Sequence, residues 1–291
     1  MTVIHVFPGQ GAHRVGMGKE LFASYPHLVR QADALLGYSI EELCLRGPAE
    51  RLSDTRYTQC AMYTVGALAY IDRIRTTGEL PDYVAGHSLG EYVALFAAGA
   101  FDFVTGLELV ARRAGLMADA GPGAMAAVLG VTADEVRVVL ARGGGPQVDI
   151  ANLNAPEQTV VSGPPDDIAA AVSLLKTETR GAVVPLKVSG AFHAWPMAPA
   201  AREFEHFLAG YRFAPLRIPV ISNATARPYG DAETAALLVR QLTSPVRWTE
   251  SVGFLLDQPE PDFHELGPGQ VLTGLISEIR AKRPVPAGVA S

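Results

Sequence analysis

The segment Tyr83-Val84-Ala85-Gly86-His87-Ser88-Leu89-Gly90-Glu91-Tyr92 passes from a short apolar run through a small-residue turn into an alanine-rich stretch with helical spacing, Glu91 to Ala100. Strand, G-x-S-x-G and helix in that order form the context a nucleophile elbow needs. The glycines let the chain turn sharply and keep bulk away from the serine. The Ser88 hydroxyl then stands exposed at a sheet edge with a helix N-terminus behind it. Five-residue matches of this kind also arise by chance as ordinary turns, but here both flanks are correct. Ser88 is the first candidate nucleophile, and an α/β fold with a parallel sheet is expected around it.

Composition bounds what such a fold can do. The chain has 291 residues, 48% of them hydrophobic and 19% charged, enough for a sizeable core. Its net charge of −6, without a Lys/Arg block, argues against a nucleic-acid binder. The two cysteines, Cys44 and Cys60, lack metal-ligand spacing and read as free core thiols of a reducing compartment. No metal is expected. The chain opens on a strand-like Val3 to Phe7 rather than on a leader, and no apolar run reaches membrane-spanning length. A cytoplasmic protein away from membranes is the expectation.

Outward from the elbow, Val3–Phe7 predicts a buried strand ended by Pro8-Gly9-Gln10-Gly11, whose glycines would let backbone amides approach an anion. Helical spacing covers residues 17–36, and again Ile40 to Tyr70 with a break near Gly47-Pro48. Phe101–Ala120 reads as an amphipathic helix carrying Arg112 and Arg113, a pair that is usually a solvated face. The texture then changes. Ala124–Gly130 reads as strand and Thr132–Arg142 as a helix with Thr132 as N-cap and Glu135 three residues on. After the turn at Gly143-Gly144-Gly145-Pro146 come strands at Val148–Asn152 and Gln158–Ser162, a helix at Pro164–Thr179 and a strand at Ala182–Val188. This βαββαβ order is ferredoxin-like and suits a small inserted domain. The expected plan is a large α/β-hydrolase-like domain in two parts, 1–122 and 190–291, interrupted by a ferredoxin-like domain at 123–189. Beyond the insertion, helical stretches at Phe204–Leu208, Leu237–Leu242 and Trp248–Leu256 alternate with strands at Ile218–Ser222 and Phe263–Gly267. A helix from Val271 closes the chain, and the tail after Arg283 is expected to fray.

A serine needs a neighbouring base. Of seven histidines, His5 lies in a strand, and His27, His206 and His264 lack a glycine context. His13, beside the Gly9–Gly11 loop, stays open as an alternative. His87 adjoins Ser88, but consecutive side chains on a tight elbow diverge. His193 ends the segment Val188-Ser189-Gly190-Ala191-Phe192-His193, at the junction of the two units and after the serine in chain order, and is the preferred base. No acidic third member stands out, which leaves room for a dyad held by a backbone carbonyl.

Together these motifs resemble the malonyl-CoA:acyl carrier protein transacylase family over almost the whole chain. Phe7-Pro8-Gly9-Gln10-Gly11 is similar to its N-terminal loop and Gly86-His87-Ser88-Leu89-Gly90-Glu91 to its nucleophile motif. Arg113-Ala114-Gly115-Leu116-Met117 resembles its arginine helix, Gly190-Ala191-Phe192-His193 its histidine motif, and Gly267-Pro268-Gly269-Gln270-Val271-Leu272 its C-terminal signature. The stretches Leu36–Ile40, Ala98–Phe103, Asp149–Asn154 and Ile221–Pro228 look more like the discrete acyltransferases that serve polyketide synthases in trans.

The resemblance implies malonyl transfer from malonyl-CoA to the phosphopantetheine thiol of an acyl carrier protein through a malonyl-Ser88 ester. It assigns His193 as base, the N–H groups of Gln10 and Leu89 as oxyanion hole, and Arg113 as partner of the malonyl carboxylate. A guanidinium suits that task because it offers a planar, permanent pair of donors. Phe192 matches the malonyl-type pattern, which disfavours a branched α-carbon. The family's histidine-holding backbone carbonyl maps onto Arg247 in Pro245-Val246-Arg247-Trp248. His13, Arg247 and Gln270 depart from residues usual in relatives. No resident cofactor is implied, and a monomer is expected. The alternatives are a housekeeping fatty-acid transacylase, an acyl hydrolase clearing carrier proteins with the same Ser88–His193 pair, and an inactive scaffold module.

Overall fold

The computed structural model describes residues 1–142, 146–188 and 190–283. The glycines of the turn at 143–145, Ser189 at the expected domain boundary and the tail beyond Arg283 lie outside the described residues.

The chain opens with β1 (Thr2–Phe7), buried along its whole length as a central parallel strand must be. Five helices follow: α1 (Lys19–Ser24), α2 (Pro26–Leu36), α3 (Ile40–Arg46), α4 (Ala49–Ser53) and α5 (Thr55–Thr77). The spacing over 17–36 thus belongs to two helices, because Pro26 cannot continue α1 and instead starts α2. The 23-residue α5 is capped at its N-terminus by the Asp54 carboxylate, which accepts from Arg56 N–H at 2.9 Å. Its run of Ala, Gly, Met, Tyr and Val residues is buried nearly all round, which makes α5 the central helix of the large unit.

Next come β2 (Tyr83–Gly86), α6 (Gly90–Ala97) and α7 (Phe103–Asp119). The chain then crosses into a second unit of β3 (Ala124–Leu129), α8 (Ala133–Leu140), β4 (Asp149–Ala155), β5 (Gln158–Gly163), α9 (Pro165–Glu178) and β6 (Ala182–Pro185). It returns through α10 (Ala198–Leu208), β7 (Val220–Ile221), α11 (Thr234–Gln241), α12 (Trp248–Leu256), β8 (Pro261–Glu265) and α13 (Val271–Lys282).

Two four-stranded sheets result. The first has the order β7-β2-β1-β8 with all neighbours parallel, the second the order β4-β5-β3-β6 with all neighbours antiparallel. The fold is therefore mixed α/β with one parallel and one antiparallel sheet. The strand expected at 182–188 ends at Pro185, which has no N–H to extend a ladder, and the one expected at 218–222 keeps only two residues. Edge strand β4 does not hang free. Leu153 N–H donates to Val246 O and Val246 N–H to Ala151 O, both at 2.9 Å, which staples the second unit to the first beside α12. The ion pair between Lys282 and Glu157 spans the same seam.

Candidate functional site

The parallel sheet positions the site because its strands end at one edge. β1 delivers the Pro8–Gly11 loop and β2 the elbow, paired so that Phe7 lies opposite Gly86. Ser88 holds a left-handed φ of 52°, a conformation that costs a non-glycine residue energy. The flanking glycines are obligatory on steric grounds. A Cβ on Gly86 would lie 1.9 Å from the Gly90 carbonyl carbon, and one on Gly90 would lie 2.0 Å from Phe7 O. Asn223, just beyond β7, clamps the strained turn. Its Oδ1 accepts from Ser88 N–H and its Nδ2 donates to Gly86 O, each at 2.7 Å.

Ser88 Oγ lies 2.7 Å from His193 Nε2. His193 also has a positive φ, 57°, and its Nδ1 lies 2.8 Å from the Gln241 carbonyl. A carbonyl only accepts, so the proton sits on Nδ1 and Nε2 is left to accept the serine proton. The carbonyl expected from Arg247 is thus supplied by Gln241 at the end of α11. The Arg247 carbonyl is already taken by Ser251 N–H and Oγ within α12, each at 2.9 Å, while its guanidinium pairs with Glu250. Burial, reinforced by the Arg113 charge, pushes His193 down to about 3, so the imidazole is neutral at physiological pH.

Arg113, on α7, is fully buried, unlike Arg112 one position earlier, which is exposed and lies over the Phe207 ring. Its Nη1 donates to Gln59 Oε1 at 2.5 Å and its Nη2 to Gln241 Oε1 at 2.9 Å, and Nη2 stands 3.2 Å from Ser88 Oγ. Neutral amide oxygens hold the guanidinium in place without cancelling its charge. With five donors in the fork, N–H groups remain for an incoming anion.

These groups face a cavity of about 460 Å³ between the two units. Gln10, Ser88, Arg113 and His193 line it from the large unit, Met125 and Asn152 from the antiparallel sheet. Phe192 forms part of its wall. Among the described residues the N–H groups of Gln10 and Leu89 have no protein acceptor, whereas that of Ser88 is spent on Asn223. His13 lines the cavity but engages Gly11 N–H and Ser53 Oγ, each at 3.3 Å. His87 turns away from Ser88 to meet Asn154 Oδ1 at 2.8 Å. His5 is buried within β1 and does not line the cavity, with an edge-on contact to His264 at 5.7 Å.

Four polar residues escaped the sequence reading: Gln59, Glu91, Asn223 and Gln241. Each is wholly or almost wholly buried. Glu91 carried a local signal as part of the elbow motif and Asn223 as part of the stretch Ile221–Pro228, whereas Gln59 and Gln241 carried none.

Residues 4–280 match the family described as acyl transferase domain. The chain is similar to a polyketide biosynthesis malonyl CoA-acyl carrier protein transacylase of Bacillus velezensis, BaeC, with 49% identity over 96% of this chain and 96% of that protein. Its fold is similar to that of a malonyl CoA-acyl carrier protein transacylase from Burkholderia pseudomallei. That structure has a TM-score of 0.95 and 46% identity over 98% of this chain and 100% of its own. A type II PKS acyl-carrier protein in complex with its malonyl-transacylase is also similar, with a TM-score of 0.90 and 35% identity over 96% of this chain and 93% of that one.

Proposed function

The chain belongs to the acyl transferase domain family, and from that premise we propose that it moves a malonyl group from malonyl-CoA to the phosphopantetheine thiol of an acyl carrier protein, in the service of polyketide assembly. The observation that carries this reading is the convergence of His193 Nε2 and Arg113 Nη2 on one atom, Ser88 Oγ, at 2.7 and 3.2 Å. A hydrolase needs the first contact but not the second.

In the proposed reaction His193 Nε2 takes the Ser88 proton as Oγ attacks the thioester carbon. The carbonyl oxygen becomes an oxyanion facing the unspent N–H groups of Gln10 and Leu89, each worth about 3–4 kcal/mol to the transition state. Collapse breaks the C–S bond, and the departing CoA sulfur takes the proton back from His193. The carrier thiol repeats these steps in the other direction: His193 accepts its proton, the thiolate attacks the malonyl-Ser88 ester, and Ser88 recovers the proton.

Arg113 holds the malonyl carboxylate throughout. That pairing screens the charge that depresses the His193 basicity, so the correct substrate also makes its own base stronger. An acetyl group would leave the guanidinium buried and unpaired. Phe192 restricts space at the α-carbon and disfavours methylmalonyl. No resident cofactor or metal has a part in this scheme.

The parallel-sheet unit reads as α/β-hydrolase-like. The antiparallel unit, whose strand order matches a split βαβ arrangement, reads as a ferredoxin-like insertion at about residues 123–189. A monomer acting in the cytoplasm completes the proposal.

The test is intact-mass spectrometry after incubation with malonyl-, methylmalonyl- or acetyl-CoA, followed by addition of phosphopantetheinylated carrier protein. A malonyl adduct that forms fast and moves to the carrier is the expected result. Decay to free malonate regardless of carrier would instead identify a hydrolase.

A further inference from the structure

Glu91 is the second residue of α6, wholly buried directly beneath the elbow. Among the described residues no Lys or Arg forms a salt bridge with it. Instead it faces two N–H donors and a hydroxyl. Oε1 accepts from Asn223 N–H at 3.2 Å and from the Tyr229 hydroxyl, and Oε2 accepts from Gln241 Nε2. Burial pushes its carboxyl up to about 7 against the opposing pull of those hydrogen bonds, so the group stands near half-charged at neutral pH. The first turn of α6 supplies part of the compensation.

Gln241 connects Glu91 to the chemistry. Its amide oxygen accepts from Arg113 Nη2 and its amide nitrogen donates to Ser88 O, both at 2.9 Å. Its backbone carbonyl meets His193. Guanidinium can only donate, whereas a carbonyl and a carboxylate can only accept. The amide is therefore consistent in one orientation alone.

We propose that Glu91 is a positioning residue that sets malonyl-over-acetyl selectivity, by locking the Gln241 amide so that its oxygen anchors Arg113 beside Ser88. This rests on the functional reading above. An amide at position 91 could not do the same. One of its ends carries two N–H groups, and whichever way it turned, those would oppose either Asn223 N–H or Gln241 Nε2. A carboxyl group is thus required, because it alone turns an oxygen to each of the two N–H donors.

The test compares initial rates of adduct formation from malonyl-CoA and acetyl-CoA in the full chain, with wild type first. If wild type shows no malonyl preference, the functional reading fails and not this inference. Given that preference, Glu91→Gln should slow malonylation about 10- to 100-fold, the effect of one lost charge-assisted hydrogen bond. Acetylation should change by less than about threefold, since it does not use Arg113. Equal loss of both rates, or an unchanged ratio, would overturn the inference by making Glu91 merely structural. Should Glu91→Gln fail to give a cooperative melt, Glu91→Met carries the same test. It removes the oxygens that hold the Gln241 amide while leaving Gln241, its contact with Arg113 and its backbone carbonyl on His193 in place. A shift toward acetyl sustains the inference, and an unchanged ratio overturns it.

Discussion

The two sheets meet at one cavity but are built by opposite rules. The carboxyl edge of the parallel sheet holds two non-glycine residues with positive φ, Ser88 and His193, and a buried arginine, glutamate and histidine within one hydrogen-bonded network. The antiparallel unit buries an apolar cluster around Val128, Val136, Val161, Ile168 and Leu175, and among its described residues no charged side chain is buried. Its helices follow local rules. Thr132 Oγ1 accepts from Glu135 N–H at 3.2 Å while Glu135 returns the contact to Thr132 N–H at 2.8 Å, and Pro165 opens α9. Buried charge and the two strained residues Ser88 and His193 gather at the proposed site, and the unit that walls the cavity buries no charge among its described residues, its irregularity confined to two register shifts between β4 and β5.

That contrast can be broken by mutation, most severely at the elbow. Ser88→Ala should abolish the acyl adduct with every donor. A malonylated Ser88→Ala protein would move the nucleophile elsewhere and dissolve the contrast. Next in size, Arg113→Ala should slow malonylation on the order of 100-fold, as expected when one partner of a desolvated charge pair is truncated. The same variant should retain acetylation. An unchanged malonyl-to-acetyl ratio would remove Arg113 from the substrate.

Acid should unfold the protein through the parallel-sheet unit. His193 and His5 are depressed to about 3 and about 4, each chiefly by burial. Both stay neutral in the native state while the unfolded chain takes up protons below about 6.5, so the stability they contribute is present above that pH and lost below it. Glu91, raised to about 7, works in the other direction between about 4.5 and 7. Among these three groups the balance is about one proton, or about 1.4 kcal/mol of stability lost per pH unit from about 6.5 to about 4.5, and His13 and His87, also depressed by burial, add to the loss. Urea midpoints across that range would measure it, and His5→Phe should flatten the dependence. The smallest expected effect sharpens the contrast from the other side. Thr132→Ala should cost about 1 kcal/mol by loss of the cap and leave the malonyl-to-acetyl ratio untouched. A changed ratio would tie the antiparallel unit into the chemistry.

The architecture was legible wherever a local pattern had a local cause. The elbow, the capping box on α8 and the six-element order of the second unit could all be read because glycine spacing, side-chain capping and strand alternation act over a few residues. Element ends were less legible where proline intervened, as at Pro26 and Pro185. The site was legible where a motif carried the chemistry: Ser88, His193, Arg113 and the Gln10 loop all reach the same cavity. Its support was not. Arg247 stood where a carbonyl was wanted, and the carbonyl came from Gln241, six positions earlier.

The sequence by itself determined the candidate nucleophile, the order of the elements and the kinship with acyl transferases, because each rests on residues close together in the chain or on motifs in order along it. Only the tertiary structure decided which atoms hold those residues in place. Gln241 meets Ser88 across 153 positions, Arg113 across 128 and Glu91 across 150. An isolated Gln or Glu in a sequence gives no sign of which donors and acceptors will surround it. Once both sheets close around the elbow, matching donors to acceptors leaves the Gln241 amide a single consistent orientation.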